Sequence, residues 1–150
     1  MPSLAKNKKA FHDYEILEEY EAGVMLLGTE VKSVRKGDVS LKGGFVTEHG
    51  AELLLTNVHI GAYKPAAQNN HEPLRSRKLL LKKVEVNKII GKLSQKGVSC
   101  VPLEFYTKAS HIKLRIAIVK GKKLYDKKRD KKEKDIRRDA ARELRGRKRG

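Results

Sequence analysis

The chain has 150 residues, with 35 Lys and Arg against 18 Asp and Glu, and a net charge of +17, a surplus that opposes compaction and favours a polyanionic partner, nucleic acid before a membrane surface. One cysteine, Cys100, excludes an intrachain disulfide and a Cys-rich metal site. No run approaches the ~20 apolar residues of a membrane span, and residues 1–11 carry lysines without an apolar stretch, so the expectation is a soluble, cytoplasmic protein with no signal peptide.

Residues 1–10 are polar and basic and read as a flexible arm. From Asp13, "DYEILEEYEAGVMLLG" contains two strand-like runs broken at Glu21-Ala22-Gly23. This predicts a hairpin with Gly23 supplying the positive φ. In "TEVKSVRKG", Thr29 is the expected N-cap of a short helix, Val31 and Val34 share one face, and Gly37 ends it. Lys32, Arg35 and Lys36 then point away from the core. "FVTEHGAELLLTNVHI" reads as a second hairpin, turning at His49-Gly50.

Residues 61–77, "GAYKPAAQNNHEPLRSR", read as a loop punctuated by Pro65, Pro73 and Asn69-Asn70. Its length is unusual inside a compact domain and marks a functional or mobile segment. "KLLL" is a short buried strand. Val86, Ile89, Ile90 and Leu93 fall at helical spacing, with Gly97 as C-cap. The clearest alternation is "HIKLRIAIV": Ile112, Leu114, Ile116 and Ile118 share one face, and Lys113, Arg115 and Ala117 the other. In "VSCVPLEFY", opposite it, Val101, Leu103 and Phe105 are the expected inward set, with Ala109 and Ser110 near the turn. Short antiparallel strands with one intervening helix suit a small, partly closed β-barrel of the oligonucleotide-binding type.

The motifs of phosphate-binding loops, dinucleotide folds, zinc proteases and serine hydrolases are absent, and the five histidines lack ligand spacing. No enzyme, metal or cofactor is expected. Cys100 reads as a small core residue. Glu18, Glu19 and Glu21 form a carboxylate cluster: a solvated strand edge, or acceptors for a nucleobase. With no Trp and eight Phe and Tyr in all, base stacking is poorly supplied. Electrostatic and shape reading of a folded RNA fits better, with the face carrying Lys113 and Arg115 as one patch.

Residues 121–150 carry fifteen basic and six acidic side chains, +9 on their own. Glu133–Arg137, Asp130–Lys134 and Glu143–Arg147 are acid-first pairs at i,i+4, and Ile136, Ala140 and Leu144 form one thin apolar stripe. Such a segment is expected to be disordered when free and helical, roughly over 130–144, when bound in a polyanionic groove.

Four segments, "NKKAFHDY" (7–14), "EAGVMLLGTEVKSVR" (21–35), "RSRKLLL" (75–81) and "KGKKLYDKKR" (120–129), resemble the SsrA-binding protein family, small protein B, in order and spacing. The likeness spans about residues 7–145. It implies an oligonucleotide-binding-type β-barrel with peripheral helices over 11–120, followed by a basic tail over 121–150. It also implies a monomer bound one-to-one to the tRNA-like domain of transfer-messenger RNA, delivering that RNA to stalled ribosomes in trans-translation. Family residues tied to the RNA match Glu21, Leu80 and Lys113, the first placed by the sequence pattern in a hairpin turn. The surrounding motifs add Lys32, Arg35, Arg77 and Lys78, and the alternation adds Arg115. In the tail, Lys122, Lys123, Tyr125, Asp126, Lys127, Arg129, Ile136, Arg137 and Arg138 are implied to meet the decoding centre and empty mRNA channel of the small subunit. The family's Arg after Asp-Lys is Lys128 here, so a bidentate contact at that position is lost. A general structured-RNA or ribosome-associated protein is the alternative.

Overall fold

A computed structural model describes residues 2–121; the readings made for 122–150 lie outside the described residues. The chain runs β1 (Ser3–Lys6), α1 (Lys8–Asp13), β2 (Tyr14–Val24), α2 (Gly28–Arg35), β3 (Val39–Ser40), β4 (Phe45–His49), β5 (Glu52–Thr56), β6 (His59–Ile60), a 3-10 helix (Lys64–Asn69), β7 (Arg77–Leu80), α3 (Lys83–Leu93), β8 (Val98–Lys108) and β9 (His111–Gly121). Seven strands form one antiparallel sheet in the order β1-β8-β9-β2-β7-β5-β4, and β3 pairs with β6 separately. The sheet curls until β4 packs beside β8, with no hydrogen-bonded ladder between them. The expected barrel is therefore a curled sheet, open at that seam.

Alternation in β9 dictates where the core lies. Leu114, Ile116 and Ile118 point inward and meet Leu53, Leu55, Leu79, Ile89 and Phe105. Burying such side chains is the dominant favourable term, worth about 1.5–3 kcal/mol for each large apolar residue. The opposite face of the same strand is also covered. Ala117 and Val119 join Val101, Leu103 and Ala10 in a second cluster beneath α1. Two expectations change here. Ala117 is buried rather than outward, and Val101 and Leu103 face away from Phe105. The cause is a bulge: β8 pairs Pro102 with Ile116 but Glu104 with Arg115, leaving Leu103 as an extra residue that flips the parity.

Residues 3–10 are built into β1 and α1. β1 pairs with β8, and Asn7, 4% exposed, donates through Nδ2 to the Pro102 carbonyl at 2.8 Å while its Oδ1 accepts the Ala10 N–H at 3.2 Å. That side chain caps α1; the flexible-arm expectation took solvated lysines for the whole story.

The expected first hairpin is likewise one unbroken strand. β2 pairs with β9 from Tyr14 to Ala22 and then with β7 at Gly23 and Val24. Gly23 has no positive φ. Its need is closeness, since a Cβ there would stand 3.2 Å from Leu80 Cβ. The second hairpin turns where expected, with Gly50 at φ +64°. Ala109 and Ser110, at φ +49° and +68°, form the tight turn between β8 and β9.

Candidate nucleic-acid interface

The segment 25–35 places the first group of candidate residues. Thr29 does not cap α2. Glu30 reaches back instead, its Oε1 accepting the Leu27 N–H at 2.8 Å. Glu30 is buried and binds two arginines: Arg75 Nη2 donates to Oε1 at 2.6 Å, and Arg77 Nε to Oε2 at 2.6 Å. Burial alone would raise this carboxyl. The bonds from Arg75, the Leu27 N–H and Arg77 outweigh it and hold Glu30 below its ordinary value. Arg77 also donates to the carbonyls of Val58 at 2.7 Å and Pro73 at 3.1 Å. It is 0% exposed, so it fastens β7 to α2 from inside and cannot touch an RNA. The motif around it implied an RNA contact; saturation by three internal acceptors reverses that expectation.

With α2 fixed this way, Arg35 projects toward the β8–β9 turn, where its Nη2 donates to the Ser110 carbonyl at 2.8 Å. Between them runs a groove of about 320 Å³, lined among others by Gly23, Leu80, Arg35, Ser110 and Lys113. Leu80 is 48% exposed while Leu79 before it is buried, so the middle of the apolar triplet belongs to the groove and not to the core. Lys78, half-buried, pairs with Glu52 at 3.1 Å. Lys32 is exposed on α2 and lies over the Tyr63 ring.

The outward face of β2, β8 and β9 holds the rest. Glu21 stands opposite Arg115, and Tyr106 opposite Lys113. Tyr106 donates its hydroxyl to Glu21 Oε2 at 2.5 Å, and Lys108 Nζ approaches Oε1 at 3.3 Å. The Tyr106 bond, first among several causes, holds the Glu21 carboxyl below its usual value. The phenol is pushed up by its burial and by that carboxylate. Arg115 is engaged inside the protein. Its Nη1 donates to Glu104 at 3.0 Å, its Nε lies 3.8 Å from Glu19, and its guanidinium stacks over Tyr106 at 5.2 Å. The face expected to be basic is thus a balanced lattice. Among the described residues, Lys113 makes no ion pair there.

Glu21 and Gly23 lie on one side of β2, and Gly23 stands opposite Leu80. Glu21, Leu80 and Lys113 therefore converge on one outward surface beside α2. Arg77 is removed from the expected set, and Arg115 acts on its neighbours. Tyr106 and Glu30 were missed: the bulge hides the parity of Tyr106, and Glu30 gave a signal only as an acid in the first turn of a helix. Among the described residues no group of three His, Cys, Asp or Glu side chains is disposed to hold a metal, and no helix is long and apolar enough to cross a membrane.

Comparison with known proteins bears on this surface. The family model described as SmpB protein matches residues 4–146. An SsrA-binding protein of Bacillus cereus (strain ATCC 10987 / NRS 248) is 49% identical over 144 residues, 96% of this chain and 93% of the relative. That of Sulfurihydrogenibium sp. (strain YO3AOP1) is 50% identical over 143 residues, 95% and 94% of the two chains. A solved chain described as "tmRNA-SmpB: a journey to the center of the bacterial ribosome" superposes with a TM-score of 0.69 at 43% identity, covering 91% of this chain and 96% of its own.

Proposed function

The chain belongs to the SmpB family of SsrA-binding proteins, and from that membership we propose that it binds transfer-messenger RNA and brings it to stalled ribosomes in trans-translation. The observation that carries the reading is the meeting of Glu21, Leu80 and Lys113 on one outward surface around Gly23. A +17 chain supplies the long-range attraction. The surface supplies a carboxylate acceptor, an apolar side chain and an ammonium that makes no ion pair among the described residues, three different chemistries within one patch. Phosphate contacts orient the RNA, and the acceptor and apolar groups discriminate. Lys32 and Arg35 flank this patch from α2, and Lys78 from β7. Arg115 serves by holding Tyr106 and the strand face in place. The role is one of RNA binding, with no catalytic step assigned to any residue. In the same reading, Lys122, Lys123, Tyr125, Asp126, Lys127, Arg129, Ile136, Arg137 and Arg138 engage the small ribosomal subunit.

The test is a competition at matched salt between transfer-messenger RNA and bulk tRNA, with wild-type protein and with Glu21→Ala and Lys113→Ala. Selective binding that each replacement weakens supports the reading. Equal affinity for both RNAs at every salt concentration identifies a general electrostatic binder instead.

A further inference from the structure

The segment 61–77 is no slack connector. Tyr63 donates its backbone N–H to Asn70 Oδ1 at 2.7 Å and receives Asn70 Nδ2 on its carbonyl at 2.9 Å; the same amide reaches the Ala67 carbonyl at 2.9 Å. One asparagine thus closes the loop around the 3-10 helix. The next residue, His71, is buried. Its Nε2 donates to the Ile60 carbonyl at 2.9 Å, and its Nδ1 is hydrogen-bonded to Thr29 Oγ1 at 2.8 Å. That bond ties the closed loop to α2. Inside it Ala67 sits at φ +49°, ψ −112°, a strained conformation that persists only where its surroundings over-determine it.

This construction holds up one aromatic ring. Among the described residues Tyr63 is the only tyrosine outside a strand. Its ring is half-buried, and the Nζ atoms of Lys32 on α2 and of Lys36 at its C-cap, one turn further along, lie over it at 5.2 and 5.4 Å. Neither lysine makes an ion pair among the described residues. Two ammonium groups on one ring attract it and repel each other. An exposed arrangement of that kind is weak and easily exchanged. A nucleotide offers a better match: a base presents a π face to the ring, and its flanking phosphates take both ammoniums.

We propose that Tyr63 is a stacking platform for one unpaired base of the bound RNA, with Lys32 and Lys36 passing from the ring to the phosphates on either side of that base. The proposal rests on the RNA-binding reading above and adds a second contact on α2, whose Arg35 and Val31 line the groove. Stacking suits an unpaired nucleotide because a base inside a duplex has no free face. It makes the RNA partner of this surface a junction or loop, not a continuous helix.

Full-length wild type, Tyr63→Leu, Tyr63→Phe and Lys32→Ala are compared by affinity for a transfer-messenger RNA transcript across a salt series. Losing one stacked base costs about 5- to 150-fold in affinity. Tyr63→Leu is expected to weaken binding within that range with an unchanged slope of log affinity against log salt. Tyr63→Phe keeps the ring and is expected to match wild type, while Lys32→Ala lowers the slope by about one phosphate. Two results overturn the proposal: Tyr63→Leu that binds like wild type, or Tyr63→Leu whose loss comes with a lowered slope, which makes the ring a mere rest for the lysines. Thermal unfolding of each variant separates a lost platform from a lost fold, and the intact ring of Tyr63→Phe supplies the folded control. Failure of the broader RNA reading is distinct: it appears as lost selectivity in wild type.

Discussion

Glu21 on β2 and Tyr106 on β8 meet across the width of β9, carboxylate oxygen to phenol oxygen at 2.5 Å, although 85 residues of chain separate them. One oxygen of Glu21 is committed to that bond. The other faces Lys108 at 3.3 Å, a long contact to an exposed and exchangeable partner. A family-implied RNA residue is therefore pre-aimed by the fold, with one acceptor site held and one negotiable.

If Tyr106 aims Glu21, the two are not independent in binding. Glu21→Ala should lower affinity for transfer-messenger RNA about tenfold, the scale of one charge-assisted hydrogen bond. Tyr106→Phe should lower it less, and the double variant should fall short of the product of the two losses. Binding titrations of the four proteins check this; strictly multiplicative effects contradict it.

Leu80 separates binding from folding. It is 48% exposed, so Leu80→Ala should shift unfolding free energy by no more than about 0.5 kcal/mol while weakening RNA binding. Gly23→Ala puts a Cβ 3.2 Å from Leu80 Cβ and should weaken binding by displacing that side chain. Denaturant curves beside RNA titrations test both. A stability loss for Leu80→Ala as large as that of a core leucine would return the residue to the interior.

The Glu30 cluster is expected to fail in the opposite way. Glu30→Ala strands the buried Arg77 cation, and such a break costs about 3–5 kcal/mol. Because the folded carboxyl lies below its ordinary value, its contribution is whole above the unfolded pKa near 4.5 and is lost as pH falls through the depressed folded value. Acid unfolding of wild type should therefore steepen below pH ~4.5, and Glu30→Gln, which no longer titrates, should lack that component.

Cys100 governs part of the alkaline limit. Burial pushes its thiol up to about 12 from 9.0. A raised folded value means stability is intact below the unfolded value and declines as pH rises from 9.0 toward about 12. Cys100→Ala should start from a lower stability and show a flatter decline there, with the residual slope belonging in part to Tyr106. A thiol reagent should label wild type no faster than the chain unfolds.

Removing residues after Lys123 should leave affinity for transfer-messenger RNA nearly unchanged while abolishing tagging of stalled chains. Equal loss of both activities would refute a division of labour between the body and residues 122–150.

Much of this was legible beforehand for identifiable reasons. Period-two alternation placed Leu114, Ile116 and Ile118 in the core, and helical spacing placed Ile89. Glycine marked the turn at Gly50. What escaped was information held by partners distant in the chain. A bulge at Leu103 reverses facing without altering composition. Gly23 looks like a turn residue until Leu80 is known to press on it. Arg77 looks like a surface cation until Glu30, Val58 and Pro73 are seen to surround it. The outward strand face read as basic because Lys113 and Arg115 stand out in β9, while the carboxylates that balance them arrive from β2 and β8.

β9 is also a ruler. Lys113 lies near one end and Gly121 closes the other, eight steps of antiparallel strand or about 27 Å apart. Ladders on both flanks, to β8 and β2, keep that length from stretching or sliding. The chain after Gly121 therefore sets out from a point held at fixed distance from Lys113. Inserting two residues into each of the three strands would lengthen this reach by about 7 Å and keep every side chain on its face. Inserting one would turn Lys113 inward relative to the tail root. Reach and orientation can thus be altered separately, and a tagging assay on such variants would measure how much of each the ribosome tolerates.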